Sequence, residues 1–414
     1  MLTRRTLLAS TTAVAALGAA EGASAKPSDA VVDVKMDPFH LTPRQQALHP
    51  GTRFPKLANN SEQDFCYAMR QLSFSPAIRH ERELHIEKFL RAQGLNSLDD
   101  TDMSYEEAFN LMLKDPMYAM SVRISRSIQH LMWDRSMRAF HGDRDRYLAA
   151  LEATDHAGPG SLELNPDLDM PDYTRHEIHT QPGGYVGDPF AGFAYNYALD
   201  AGFHSDYHAP GKPGGENGHD EMYIGLAQAL TLPADGQVRR ILDLGCGTGQ
   251  FTTSLKERFP NAEVWGIDVG APMVRYAHHR AVHMNLDVHF AHRLAEDTRF
   301  PDGHFDIVTD HIMFHEVTAQ AARQIVAEAK RVLRPGGVFH HLDVLTSGEP
   351  TPLPSSIPGK AGTWVNHRHN IESWSLQYIA TDFPGLLRET GFEVKLGPPL
   401  ARAIYPGVLA IKPA

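Results

Sequence analysis

The sequence predicts an α/β protein, a doubly wound, seven-stranded, mainly parallel sheet over residues 220–414, preceded by an α-helical unit. Three observations predict it. Short apolar runs alternate with amphipathic stretches from Asp220 onward, as strands do when crossover helices join them. The first run, Arg239–Leu244, passes straight into Gly245-Cys246-Gly247-Thr248-Gly249, a turn with glycine at every second position. The second run ends on an acid, Asp268, 19 residues after Gly249.

In chain order, the first 25 residues read as an address. Thr3-Arg4-Arg5-Thr6-Leu7-Leu8 leads into an Ala-rich run with no acid before Glu21, and Ala23-Ser24-Ala25 fits a small-x-small cleavage site. This resembles a twin-arginine signal peptide and implies export to the periplasm, the cytoplasm being the alternative. The run is too short and too weakly apolar for a permanent anchor, and no other stretch reaches transmembrane length.

Residues 26–60 are Pro-rich and polar without a period, and read as surface chain. Helical periodicity follows at Ser61–Phe74, Pro76–Gln93, Tyr105–Lys114 and Met117–Phe140, with apolar residues three or four apart, as in Met120, Ile124, Ile128 and Leu131. Pro76 and Pro116 stand where proline is tolerated, at a helix start. A stripe of Met112, Met117, Met120, Met132, Trp133 and Met137 either packs a core, the commoner use, or lines an apolar pocket. Asp155 to His219 is a long irregular stretch dense in Gly, Pro, His and Tyr; its part from His179 to Tyr195 reads as an ordered surface loop or as a lid over the active site. Pro210 to Gly218 makes a boundary between residues 26–219 and a second domain, 220–414.

In that second domain Asp220–Leu230 reads as a helix. Strands are expected at Arg239–Leu244, Glu263–Asp268, Asp287–Ala291, Asp306–Asp310, Val338–Val344, Glu393–Leu396 and Ala403–Ile411. Helices are expected at Gln250–Phe259, Ala271–Met284, Ala319–Leu333 and Ile379–Thr390, with Gly336-Gly337 as a stop and Thr346 to Gly362 as a Pro/Gly-rich insertion. Ligands of such a sheet bind at the carboxyl ends of its strands.

Composition narrows the function. A chain of 414 residues that is 42% hydrophobic can build real cores, and its length suits two or three domains. A net charge of −11 with no Lys/Arg-rich block disfavours nucleic acid, whose phosphates need a basic stripe. Cys66 and Cys246 imply no disulfide framework. His340-His341-x-Asp343 and His367-x-His369 do not complete a recognised ligand set, so no metal is expected. Oligomeric state is not readable.

The glycine turn carries the chemistry. Glycines let the backbone bring its N–H groups close to a ligand, and an acid at the position of Asp268 accepts hydrogen bonds from ribose hydroxyls. Asp243, just before the turn, would repel a pyrophosphate and suits a cationic amino group instead. The expected ligand thus has a ribose and an ammonium group.

These residues resemble class I S-adenosylmethionine-dependent methyltransferases. Asp243-Leu244-Gly245-Cys246-Gly247-Thr248-Gly249 is similar to their motif I. Gly266-Ile267-Asp268-Val269 with Met273 is similar to motif II, whose acid holds the ribose. Arg299 to Val308 and Glu328 to Gly337 resemble the segments that lead into the fourth and fifth strands. The match runs over residues 220–414 and is nearest the small-molecule branch of ubiquinone/menaquinone C-methyltransferases. It implies a Rossmann-like fold, S-adenosylmethionine as cofactor, and a cofactor site of Asp243, Gly245, Cys246, Gly247, Gly249, Asp268, Val269, Met273, Ala295, Glu296 and Asp310. The N-terminal half is outside the resemblance.

Two departures matter. Where the family usually has Asp-Ala-Glu, this chain has Leu294-Ala295-Glu296, which leaves Glu296, Asp297 or the Ala295 N–H to read the adenine edge. After the fourth strand there is no Asn/Asp-Pro-Pro-Tyr/Phe motif but Asp310-His311-Ile312-Met313-Phe314-His315-Glu316-Val317, which argues against methylation of an adenine or glutamine amino group. The expected reaction is methyl transfer to carbon or oxygen of a small, apolar or aromatic acceptor. Its rate would come from alignment, with histidine as the natural general base. His315 is the first candidate, then His341 and Asp343, which alternate onto one face of the fifth strand; each also has a purely structural reading. A cofactor-binding protein of this fold without transfer activity is the alternative. A dehydrogenase is a weaker third, opposed by Asp243 and the short glycine turn.

Overall fold

The computed structural model describes residues 76–95, 102–198, 218–343, 356–399 and 406–414, with isolated positions between 62 and 69. The expected leader, the Pro-rich stretch 26–60, most of the helix expected at Ser61–Phe74 and nearly all of the boundary Pro210 to Gly218 lie outside them.

The N-terminal helices are α1 (Pro76–Ala92), α2 (Tyr105–Met112), α3 (Pro116–Gly142) and α4 (Arg144–Glu152). Helix α2 opens on a capping box in which the Ser104 hydroxyl accepts from Glu107 N and the Glu107 carboxylate accepts from Ser104 N. Helix α3 opens on Asp115, whose carboxylate accepts from Tyr118 N at 2.8 Å, with Pro116 first in the helix. The methionine stripe divides. Met112, Met132, Trp133 and Met137 are buried, the last three with Phe140, Tyr147, Phe190 and Phe193, whereas Met117 and Met120 are exposed.

The stretch expected to be irregular holds β1 (Ser161–Glu163), 3-10 turns at Asp172–Thr174 and Ile178–Thr180, and α5 (Ala191–Ala198). Helix α6 (Gly218–Ala229) then leads to β2 (Arg240–Leu244), α7 (Gln250–Arg258), β3 (Glu263–Asp268), α8 (Ala271–His283), β4 (His289–His292) and β5 (Phe305–His311). The chain closes with α9 (Ala319–Val332), β6 (Leu333–Leu342), α10 (Ile357–His369), α11 (Ser375–Ile379), α12 (Phe383–Glu389), β7 (Glu393–Pro399) and β8 (Pro406–Ile411).

Among the described residues the sheet has eight strands in the order β1-β4-β3-β2-β5-β6-β8-β7, one more than expected. All pairs from β1 to β6 are parallel; β8 runs antiparallel to β6, and β7 to β8. The extra strand is too short to show a period. It joins β4 with Ser161 opposite His289, a hydrogen bond of 2.9 Å between Ser161 Oγ and His289 Nδ1, and an ion pair from Glu163 to Arg293. Helices cover both faces, α9 and α12 on one, and α6, α7 and α8 on the other.

Other departures have local causes. Strand β6 starts five residues before the expected Val338, because Gly336 N donates to Lys412 O and Lys412 N donates to Gly337 O, which draws the glycine stop into pairing with the C-terminus. The helix expected at Ile379–Thr390 is two, since Asp382 caps a new start by accepting from Gly385 N at 2.9 Å. Part of the expected insertion at Thr346 to Gly362 is the first half of α10, capped by Ser356 with Pro358 near its start.

Helix α5 lies tightly on α8 at Gly192, where an added Cβ would stand 2.4 Å from Tyr276 Cβ and 2.8 Å from Pro272 O. Gly192→Ala is therefore expected to cost about 1–3 kcal/mol through overpacking, lowering the midpoint of thermal unfolding by several degrees. An unchanged midpoint would show that the two helices separate freely.

Candidate active site

The glycine turn links β2 to α7 and forms one floor of a cavity of about 160 Å³ at the carboxyl ends of the central strands. Gly247 has φ 50°, and an added Cβ there would meet nothing nearer than Met273 Cε at 3.9 Å, so its bare backbone faces open space. Gly249, with φ 76°, is glycine for packing as well; a Cβ would stand 2.8 Å from Ala277 Cβ and 3.0 Å from Phe290 Cζ.

Two acids flank the turn. Asp268, at the end of β3, accepts from Gly247 N at 2.9 Å and Gly270 N at 2.7 Å, which fixes its orientation. Its pKa is raised because burial outweighs those bonds. Asp243, at the end of β2, is buried and accepts from Thr252 Oγ1 at 2.6 Å. Burial pushes its pKa up to about 8; Thr252 opposes the shift, and Asp310 and Asp268 add to it. A carboxylate held so unfavourably at the edge of a cavity is a ready partner for a cation.

The expected site residues divide between the cavity and its surroundings. Asp243, Gly245, Cys246, Gly247, Asp268, Val269, Met273, Ala295 and Glu296 line the cavity, while Gly249 stands behind the turn. Of the candidates for the adenine edge, the Asp297 side chain is 65% exposed, Glu296 accepts from the Tyr173 hydroxyl at 2.5 Å, and Ala295 faces the cavity. Asp310 is not in the lining. It is buried and accepts from His341 Nδ1 at 3.0 and 3.1 Å.

His341 and Asp343, the second and third candidates for the general base, are not in the lining either. His341 is fully buried, its Nε2 lies 2.8 Å from the Tyr378 hydroxyl, and its ring stacks on Phe383 at 3.8 Å between centroids. Asp343 instead accepts from His315, at 2.7 Å from Nδ1 and 3.2 Å from the backbone N. His315 is buried just behind the cavity wall, with Nε2 3.4 Å from the Glu316 carboxylate, and Glu316 does line the cavity. Burial alone would lower the proton affinity of His315. The charges of Asp343 and Glu316 overcome that and raise its pKa well above the usual value. In turn, burial would raise Glu316, but His315 and His179 hold it well below the usual carboxylate range. Among the described residues no group of three or more His, Cys, Asp or Glu could hold a metal ion.

The opposite wall comes from the loop before the sheet. Tyr173, Ile178, His179, Tyr185, Val186 and Tyr195 face the cavity, with the Tyr185 and Tyr195 rings edge to face at 5.1 Å. Composition singled out this segment, but nothing in it distinguished His179 or Tyr185 from their neighbours. Glu316 was visible only as the residue after His315. No residue of α1 to α4 is in the lining, and the buried members of the methionine stripe, Met112, Met132, Trp133 and Met137, pack core clusters.

Comparison with known proteins agrees with this geometry. Residues 241–337 match a family model described as a methyltransferase domain. A demethylmenaquinone methyltransferase of Thermus thermophilus is 40% identical over 110 residues, which are 27% of this chain and 49% of that protein. The chain thus spans about half the length of this relative. An uncharacterized methyltransferase of Synechocystis sp. is 30% identical over 178 residues, covering 43% of this chain and 76% of that protein. A solved S-adenosylmethionine-dependent methyltransferase from Aquifex aeolicus is 20% identical, with a TM-score of 0.33 over 47% of this chain and 89% of that one.

Proposed function

We propose, from the premise that the chain belongs to the S-adenosylmethionine-dependent methyltransferases, that it methylates carbon or oxygen of a small acceptor built on an apolar or aromatic ring. The residues present fit the cofactor. Asp243 offers a buried carboxylate to an ammonium group, Asp268 is oriented by two backbone donors to accept from ribose hydroxyls, and Gly247 leaves room for close approach. When bound, S-adenosylmethionine supplies an electrophilic methyl group on a sulfonium. The chain's own part is to position, to exclude water and to accept a proton.

The character of the wall opposite the glycine turn carries the acceptor reading. Tyr185, Tyr195, Ile178 and Val186 there, with Met313 and Val317 from the segment after β5, bring aromatic and aliphatic side chains to the cavity, a surface that suits a flat apolar ring better than a sugar or a peptide. The name of the Thermus relative gives its substrate as demethylmenaquinone, and we extend that class, a quinone-type ring, to this chain. Incubation with S-adenosylmethionine and a panel of phenols and reduced quinones should release S-adenosylhomocysteine in an acceptor-dependent way, with a matching methylated product by mass spectrometry. No acceptor-dependent release across the panel would overturn the reading.

We also propose that the first 25 residues direct export. No helix among the described residues is long and apolar enough to cross a membrane. Cell fractionation with N-terminal sequencing should find the mature chain outside the cytoplasm and beginning at Lys26; an intact Met1 in the cytosol would refute it.

A further inference from the structure

Glu316 is a carboxylate held by two imidazoles at ion-pair distance rather than by short hydrogen bonds. Both carboxylate oxygens are sealed from solvent, and no donor reaches either in hydrogen-bond geometry. Its nearest cations, His315 Nε2 and His179 Nε2, both stand 3.4 Å from Oε1. Buried carboxylates ordinarily accept well-formed hydrogen bonds, and a deviation calls for a reason. Its position supplies one, since Glu316 lines the cavity beside Tyr185 and Tyr195. Asp268 lines the same cavity, and the charges of Glu316 and Asp268 both bear on these two tyrosines.

The surroundings hold this arrangement firmly. His179 has φ 55° and Thr180 φ 60°, left-handed backbone in two residues that carry a Cβ. Two side chains of α3 clamp the strained turn, Gln129 Nε2 and Trp133 Nε1 donating to His179 O at 2.7 and 2.8 Å. Asn370 fixes the ring as well. Its Oδ1 accepts from Gln129, and its Nδ2 faces His179 Nδ1 at 2.9 Å, which leaves Nε2 turned to Glu316. On the other side Asp343 holds His315. Imidazoles placed on two sides thus keep an ionised carboxylate in a cavity wall of low polarity.

We infer that Glu316 recognises an un-ionised hydroxyl on the acceptor ring and takes its proton as the methyl group is transferred, with His179 and His315 as positioning residues. This rests on the aromatic-acceptor reading given above. The acceptor's electron pair makes the new bond to the methyl carbon, and the pair of the old bond stays on sulfur. The hydroxyl proton passes to a Glu316 oxygen and is released when the product leaves. Attack through a ring carbon turns the hydroxyl into a carbonyl; the ring carbon then loses its proton and the oxygen regains one. A carboxylate of low basicity suffices, because the hydroxyl becomes strongly acidic only as the new bond forms.

The test uses 4-nitrophenol and its methyl ether, 4-nitroanisole, two compounds of similar shape of which only the first donates a hydrogen bond. Each is titrated at pH 6 into the full chain loaded with S-adenosylhomocysteine, for the parent and for Glu316→Gln. The parent should bind the phenol about 10- to 100-fold more tightly than the ether, as expected for a hydrogen bond to a charged group. Glu316→Gln should reduce that ratio several-fold while the affinity for S-adenosylhomocysteine changes less than about threefold. Equal binding of phenol and ether by the parent, or an undiminished ratio in the variant, would overturn the role of Glu316 and leave the aromatic acceptor standing. Failure of both compounds to bind a chain that still holds S-adenosylhomocysteine would overturn the aromatic acceptor and this inference with it.

Discussion

Asp243→Asn should weaken S-adenosylmethionine binding by on the order of 100-fold or more while leaving the fold intact. Removing one partner of a buried charge pair typically costs about 2–5 kcal/mol. The pH behaviour makes the test specific. In the ligand-free chain Asp243 titrates at about 8 because it is buried, so at pH 7 it is mostly protonated and must ionise to pair with an ammonium. Calorimetry at pH 7 in buffers of different ionisation enthalpy should show release of close to one proton per cofactor bound by the parent and none from Asp243 in the variant. Stability should move the other way. A folded-state pKa raised from 3.8 means that stability is fully present below pH 3.8 and is lost as pH rises through about 8. Asparagine removes that loss, so the ligand-free variant should melt several degrees above the parent at pH 8.5. Unchanged affinity together with an unchanged melting profile would show that Asp243 neither carries the cation nor bears the burial cost.

Asp343→Asn should be strongly destabilising, although the residue stands behind the cavity wall. It leaves the His315 imidazolium without its nearest counter-charge in a buried setting, where breaking a pair costs about 3–5 kcal/mol. That corresponds to roughly 10 °C in the unfolding midpoint. Because the folded-state pKa of His315 is raised, its stabilising effect is complete below the unfolded value of 6.5 and fades as pH climbs through the folded one. The parent should lose stability on the alkaline side of neutrality. The variant should have lost most of that contribution by pH 7, which melting curves from pH 6 to 10 would show. Superimposable curves would remove the dyad from the account.

The two acids differ in how far the sequence revealed them. Asp243 and Asp268 were legible because strand, glycine turn and following acid are tied to one another by short, fixed geometry. Strands β2 to β6 were legible for a related reason, as buried parallel strands read as continuous apolar runs. Side-chain partners across the sheet were not. Asp310 and His341, and separately Asp343 and His315, pair through register between β5 and β6 and the turn after β5, which no local pattern encodes. Glu316 and His179 lie 137 positions apart in sequence and meet only because the loop before the sheet folds back over it. The three-residue strand β1 was invisible because a period of two cannot be read from three residues.

Strand β1 also sets the order in which the molecule can be completed. Its partner β4 follows it by 128 positions, Ser161 against His289. At about 5–20 residues per second of synthesis, β1 leaves the ribosome many seconds before the edge that it will cover. When β4 forms, its outer edge briefly shows an open row of backbone donors and acceptors. Non-local closure of this kind is slow and exposes the chain to aggregation. Gly160 narrows the passage further, since a Cβ there would lie 2.0 Å from Val288 O and hold the strand off. The edge strand β1 is thus made first and seated late.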